Sequence, residues 1–244
     1  MEQGTVASGK RLFTGTLLLH LVLFMYWVYV HVHESSLISQ VEDTVGSHVF
    51  PKFLEFPGRW RFMTFVNMFS QLVFYGLCCV NHVLPSGGVV NKYLTKLLDL
   101  MFTTVIFPAS FVVFTVFWPI YYLDRESIFP SFFAKLVPVY LVHLYHTGIV
   151  IIALLEVLLV CHRYPSTLVG LFFMGAFNSA YLCMMISSLL ILGHWPYDFL
   201  NNLPPIGLVI FCGTSFLLYI ALYYVGKMLS HLRWGDRLRC VKQD

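Results

Sequence analysis

LMFTTVIFPASFVVFTVFWPIYYL, residues 100–123, contains no Asp, Glu, Lys or Arg. As a helix it would extend about 36 Å, more than the roughly 30 Å hydrocarbon layer of a bilayer. Outward from it, further uncharged runs cover 12–33, 62–91, 136–155, 164–197 and 199–226. Lipid offers no partner for a backbone N–H or C=O, so runs this apolar must satisfy themselves as helices. The reading is an all-α polytopic membrane protein, a single bundle over 1–244 with transmembrane helices at about 12–33, 62–84, 98–122, 136–160, 166–192 and 205–229. Turn signals separate them: Pro85-Ser86-Gly87-Gly88, Asp124-Arg125-Glu126, Arg163-Tyr164-Pro165-Ser166 and Asn201-Asn202-Leu203-Pro204-Pro205.

Composition agrees, since 58% of the residues are hydrophobic and only 11% charged, where a soluble domain carries about a quarter charged. The net charge of +3 is too weak to suggest a nucleic-acid partner. Lys227, Arg233, Arg237, Arg239 and Lys242 near the C-terminus suit contact with anionic membrane lipid, as an ordinary positive flank does. The six cysteines show neither metal-site spacing nor a disulfide framework. The first apolar run is too long for a cleaved signal peptide. With six crossings both termini share one side, which carries 10 Lys and Arg against 5 opposite. The positive-inside rule puts that side, and both termini, in the cytosol of the endoplasmic reticulum or plasma membrane.

Polar groups at membrane depth face a protein interior or a wet cavity. On the second span Thr64, Asn67 and Gln71 fall at i, i+3 and i+7; on the fourth, His143, His146 and Thr147 fall at i, i+3 and i+4. Each set makes one helical stripe, and together they suggest a shared pocket. His20, His31 and His33 sit on the first helix without an obvious partner set. A threonine hydroxyl becomes nucleophilic when a base takes its proton, and apolar surroundings favour the neutral imidazole that can do so. Thr64 and His146 would then attack an ester carbonyl and form an acyl-threonine. No carboxylate lies near enough to orient His146, because Glu156 is ten residues, about 15 Å, further along. If Arg61 and Lys135 marked one interface, Thr64 and His146 would differ in depth by about 12 Å. The stripes alone also fit helices that merely hydrogen-bond one another.

Several stretches carry a resemblance. They are Gly58-Arg59-Trp60-Arg61-Phe62-Met63-Thr64-Phe65-Val66-Asn67, Asp99-Leu100-Met101-Phe102 with Phe107-Pro108, Phe117-Trp118 and Asp124-Arg125-Glu126, and Val137 through Thr147. Tyr164-Pro165-Ser166, Gly193-His194-Trp195 and Gly226-Lys227-Met228-Leu229 complete it. In order and spacing they resemble the androgen-induced-gene/androgen-dependent TFPI-regulating protein family. The resemblance implies a membrane hydrolase of fatty acid esters of hydroxy fatty acids, with Thr64 as nucleophile, His146 as base and no metal or other cofactor. Asn67, Gln71 and His143 are the expected substrate-pocket residues. Val142 stands where the family commonly has Asn, and Tyr145 where it usually has Met. The substrate would reach the pocket from the bilayer, its carboxylate near Arg59, Arg61 or Lys52.

Three other readings compete. A non-enzymatic regulator or scaffold would use the polar stripes only for packing. A transporter would show related halves with interrupted helices, and no such repeat is seen. A haem or di-iron enzyme would need more clustered histidines than the pair at 143 and 146.

Overall fold

The computed structural model describes residues 2–45, 58–131, 134 and 137–240, and side-chain surroundings for 14–37, 58–131, 134 and 137–235. Lys52, one of the expected carboxylate partners, lies outside the described residues. Among the described residues, six helices are long and apolar enough to cross a membrane. They are α1 (Glu2–Val45), α2 (Met63–Val83), α3 (Val89–Leu123), α4 (Val139–Leu159), α5 (Thr167–Leu192) and α6 (Pro205–Cys240). No strand occurs among the described residues.

Local chemistry sets the ends. Gly58 has φ 47°, a left-handed conformation that opens a 3₁₀ turn over Gly58–Arg61 ahead of α2. Pro138 caps α4 in an extended conformation, and Pro205 occupies the first position of α6, where its missing N–H costs nothing. Gly193, at φ 77°, closes α5. Helix α3 begins at Val89 rather than 98, with Lys92 and Lys96 in its opening turns.

Two helices are interrupted by wider turns with i→i+5 bonding, at Phe102–Ile106 in α3 and Leu144–Gly148 in α4. The first has a visible compensation. Pro108 cannot donate to the carbonyl of Thr104, and the hydroxyl of Tyr219 on α6 donates instead to Thr104 O at 3.0 Å and Val105 O at 3.1 Å.

The core is aromatic, with Trp27, Phe74, Tyr75, Phe102, Phe107 and Tyr223 fully buried. Gly226 allows the closest approach of α6, since a Cβ there would lie 2.6 Å from the Tyr164 hydroxyl and 2.7 Å from the Phe107 ring. The outside is apolar too: Leu168, Phe172, Leu190, Ile206, Val209 and Leu232 are exposed. Such a surface requires lipid as its solvent.

Candidate functional site

Thr64 is the second residue of α2, and its hydroxyl oxygen lies 3.3 Å from His146 Nε2 on α4. The other ring nitrogen, Nδ1, is 2.9 Å from the carbonyl oxygen of Val142 one turn back. A carbonyl only accepts, so Nδ1 carries the proton and donates it. In the neutral ring Nε2 is then a lone pair aimed at the threonine O–H. The Phe117 ring stacks on the imidazole with centroids 3.4 Å apart and planes 12° from parallel, which holds its orientation. The group that orients His146 is therefore a backbone carbonyl, and the side chain at 142 is not needed for it.

The depth mismatch resolves at the start of α4, which is Val139 and not a position next to Lys135. Arg61 is 7% exposed, in the 3₁₀ turn that leads into α2. His146 lies seven residues past the start of α4, and the two side chains meet at one level.

Both line a cavity of about 740 Å³ reached by all six helices, otherwise mostly apolar, with Met68, Val113, Phe117 and Phe216 among its walls. Arg59 also reaches it, ion-paired with Glu34 at 3.2 Å. Arg61 is not among its lining residues. Early in a helix the backbone N–H groups lack intrahelical acceptors. That of Met63 donates to the Tyr197 hydroxyl at 3.0 Å, and that of Val66 to the Phe62 carbonyl at 3.1 Å. Those of Thr64 and Phe65 remain beside the threonine hydroxyl.

The other expected pocket residues do not line the cavity. Asn67 and Gln71 are fully buried behind it, each donating to Ser110 Oγ on α3 at 3.1 Å, while Ser110 donates to the Ile106 carbonyl at 2.7 Å. The polar stripe is continuous but only its Thr64 end meets the cavity, because Asn67 and Gln71 are engaged by Ser110 of α3. His143 is exposed, its ring stacked on Trp118 at 4.8 Å. Thr147 accepts from Trp118 Nε1 at 3.1 Å. Spacing of i and i+3 puts 143 and 146 on one face of an α-helix, but the wider turn at Leu144–Gly148 turns those faces apart.

A second polar centre was not foreseen. His82 and His20 are 3.0 Å apart, His20 is 3.3 Å from Glu156, Glu156 is 2.9 Å from His162, and His162 is 3.0 Å from Asp99. His20 thus has partners. His31 stacks on Phe65 and Phe69, and His33 lies 2.9 Å from the Tyr140 hydroxyl. His82 is at the far end of α2, eighteen residues or about 27 Å from Thr64. Both ring nitrogens of His162 face carboxylate oxygens, so both donate and the ring is an imidazolium. Burial opposes that charge, but the hydrogen bonds and charges of Asp99 and Glu156 outweigh it and push the pKa up to about 9. The signal for this centre was Glu156, an acid within an otherwise apolar helix. Among the described residues, no group of three or more His, Cys, Asp or Glu is arranged to hold a metal ion.

No solved structure matches the chain. It is 35% identical to the human androgen-dependent TFPI-regulating protein over 225 residues, covering 91% of this chain and 95% of that one. The mouse protein of the same name is 31% identical, covering 91% and 94%. The human androgen-induced gene 1 protein is 32% identical, covering 77% and 82%. The FAR-17a/AIG1-like protein profile matches residues 15–231, which is nearly the whole bundle and includes both Thr64 and His146, and the chain accordingly belongs to that family.

Proposed function

We propose that this protein hydrolyses lipid esters within the membrane, of the class of fatty acid esters of hydroxy fatty acids, with Thr64 as nucleophile and His146 as general base. One observation carries the reading: a hydroxyl and an imidazole with its lone pair directed at that hydroxyl share an apolar cavity. Buried threonines in membrane helices usually donate to the carbonyl one turn back, as Thr103 and Thr104 do. Thr64 instead meets the ring.

The chemistry follows. As Thr64 Oγ bonds to the ester carbonyl carbon, its proton passes to His146 Nε2. The oxyanion forms within reach of the Thr64 and Phe65 N–H groups. Collapse breaks the bond to the alkoxy oxygen of the hydroxy fatty acid, which takes the proton from His146 and leaves as the alcohol. Water then attacks the acyl-threonine, giving its proton to His146, and the free fatty acid departs as Thr64 Oγ is reprotonated. Arg59 would hold the substrate's carboxylate at the cavity end. In this reading the substrate comes from the bilayer of the endoplasmic reticulum or plasma membrane. With both termini cytosolic, the Thr64 end of α2 faces away from the cytosol.

The test is covalent labelling of purified protein by an alkyl fluorophosphonate, which phosphonylates an activated hydroxyl with loss of fluoride. The wild type labels and hydrolyses ester; Thr64→Ala and His146→Ala, folded and expressed alike, do neither. Undiminished hydrolysis by Thr64→Ala would favour the regulator or scaffold reading.

A further inference from the structure

The cavity has a side opening, and its position specifies what passes. Among the described residues lining it, Ser179 and Leu182 on α5 and Gly213 on α6 are exposed; the rest are buried or half-buried. Opposite them the walls are open: a Cβ added at Gly175 or Gly213 would meet no other atom within 4 Å. Toward the other end of the two helices, Gly170 on α5 is filled to contact by the Tyr223 ring on α6. The two helices therefore touch there and leave Gly175 and Gly213 open.

Depth decides the occupant. Gly213 lies eight residues, about 12 Å, past the start of α6, while Leu182 and Ser179 lie about 15 to 20 Å before the end of α5. The opening is thus near the middle of a hydrocarbon layer about 30 Å thick. Lipid headgroups and carboxylates stay at the interface, so only aliphatic chain is present at that level. The charged group of the cavity, Arg59, sits at its other end, ahead of α2.

We propose that the seam between α5 and α6, at Gly175, Ser179, Leu182 and Gly213, is the door through which an aliphatic acyl chain passes between the bilayer midplane and the Thr64–His146 cavity. The inference rests on the ester-hydrolase reading for its reaction, and goes beyond it in assigning the route and the chain site. The substrate lies with its carboxylate toward Arg59, its ester at Thr64, and an acyl tail leaving through the seam. Because the tail beyond the door remains in lipid, lengthening it changes neither cavity packing nor its solvation, and the enzyme tolerates long chains.

Gly213→Trp fills the door, Leu182→Trp narrows it from the other helix, and Leu190→Trp, on the lipid-facing side of α5 where the leucine is 79% exposed, serves as the control. In liposomes, Gly213→Trp and Leu182→Trp slow Thr64-dependent labelling by a hexadecyl fluorophosphonate by about tenfold or more, the loss expected when steric crowding adds about 1.4 kcal/mol. Labelling by an ethyl probe falls by much less in the same two variants, and Leu190→Trp labels with both probes at the wild-type rate. Two door variants that fold normally and still label with the long probe at the wild-type rate would overturn the door. A second arm needs no catalysis: a fatty acid with a diazirine at its terminal carbon, photolysed with the wild-type protein, attaches to the 175–182 and 211–216 segments. Adducts there with no Thr64 labelling by either probe keep the door and reject the hydrolase; adducts confined to other helices reject the door.

Discussion

His162 offers the sharpest quantitative test of the structure away from the candidate catalytic pair. Its ring bridges Glu156, which is fully buried, and Asp99, and it is itself 4% exposed. Raising its pKa from 6.5 to about 9 corresponds to about 3 kcal/mol of stability, at about 1.4 kcal/mol per pH unit. The folded state binds the proton more tightly than the unfolded one. The stabilisation is therefore complete below pH 6.5, declines as pH rises above it, and is lost once pH passes 9. Thermal unfolding of detergent-solubilised wild type should move to lower temperature across that window. His162→Gln, which keeps hydrogen-bonding capacity but no charge, should start at lower stability and show a flatter alkaline dependence. His162→Ala leaves Glu156 facing His20 alone, and should cost about 3 to 5 kcal/mol, as removal of one partner of a buried ion pair does. A wild-type melting temperature independent of pH between 6 and 9, or a His162→Ala variant as stable as wild type, would refute the imidazolium bridge.

Other outcomes follow from single contacts. Val142→Ala should retain fluorophosphonate labelling within about twofold, because the contact to His146 comes from the main chain; the buried methyl groups lost should cost about 1 to 2 kcal/mol in melting. Ser110→Ala removes the acceptor shared by Asn67 and Gln71 and should destabilise by about 1 to 3 kcal/mol, measured by thermal unfolding, while folded protein still labels. Gly226→Ala should cost about 1 to 3 kcal/mol through collision with Tyr164 and Phe107, whereas Gly213→Ala should be close to neutral in the same measurement.

The helices were legible because their signal is one-dimensional: an apolar run of sufficient length needs no partner to be recognised. Thr64 and His146 were legible for two reasons, their place on polar stripes and the family resemblance. What failed was everything that depends on a third helix. Asn67 and Gln71 share the Thr64 stripe, but whether a stripe meets a cavity or another helix is decided by α3, and nothing in their spacing reveals Ser110. His143 failed for a local reason, since one residue inserted per turn is invisible to a period of 3.6. The His20–Glu156–His162–Asp99 chain joins residues up to 136 positions apart, and only the isolated acid at 156 hinted at it.

The wide turn at 144–148 has a consequence for how α4 tolerates change in length. Such a turn is an α-helix carrying one surplus residue, so deleting one of its five positions restores regular winding with the flanking stretches nearly in their present phase, whereas a deletion elsewhere in the helix advances everything on one side by about 100°. The excision would shorten the polypeptide by only one link, and hydropathy would scarcely register it. After an excision within the turn, the stretch from Ile149 to Leu159, with Glu156, and the stretch holding Val142 would keep their present neighbours, and only side chains within the turn, His146 among them, would be re-aimed. After an excision outside the turn, one end of the rod could keep its docking only by surrendering the other.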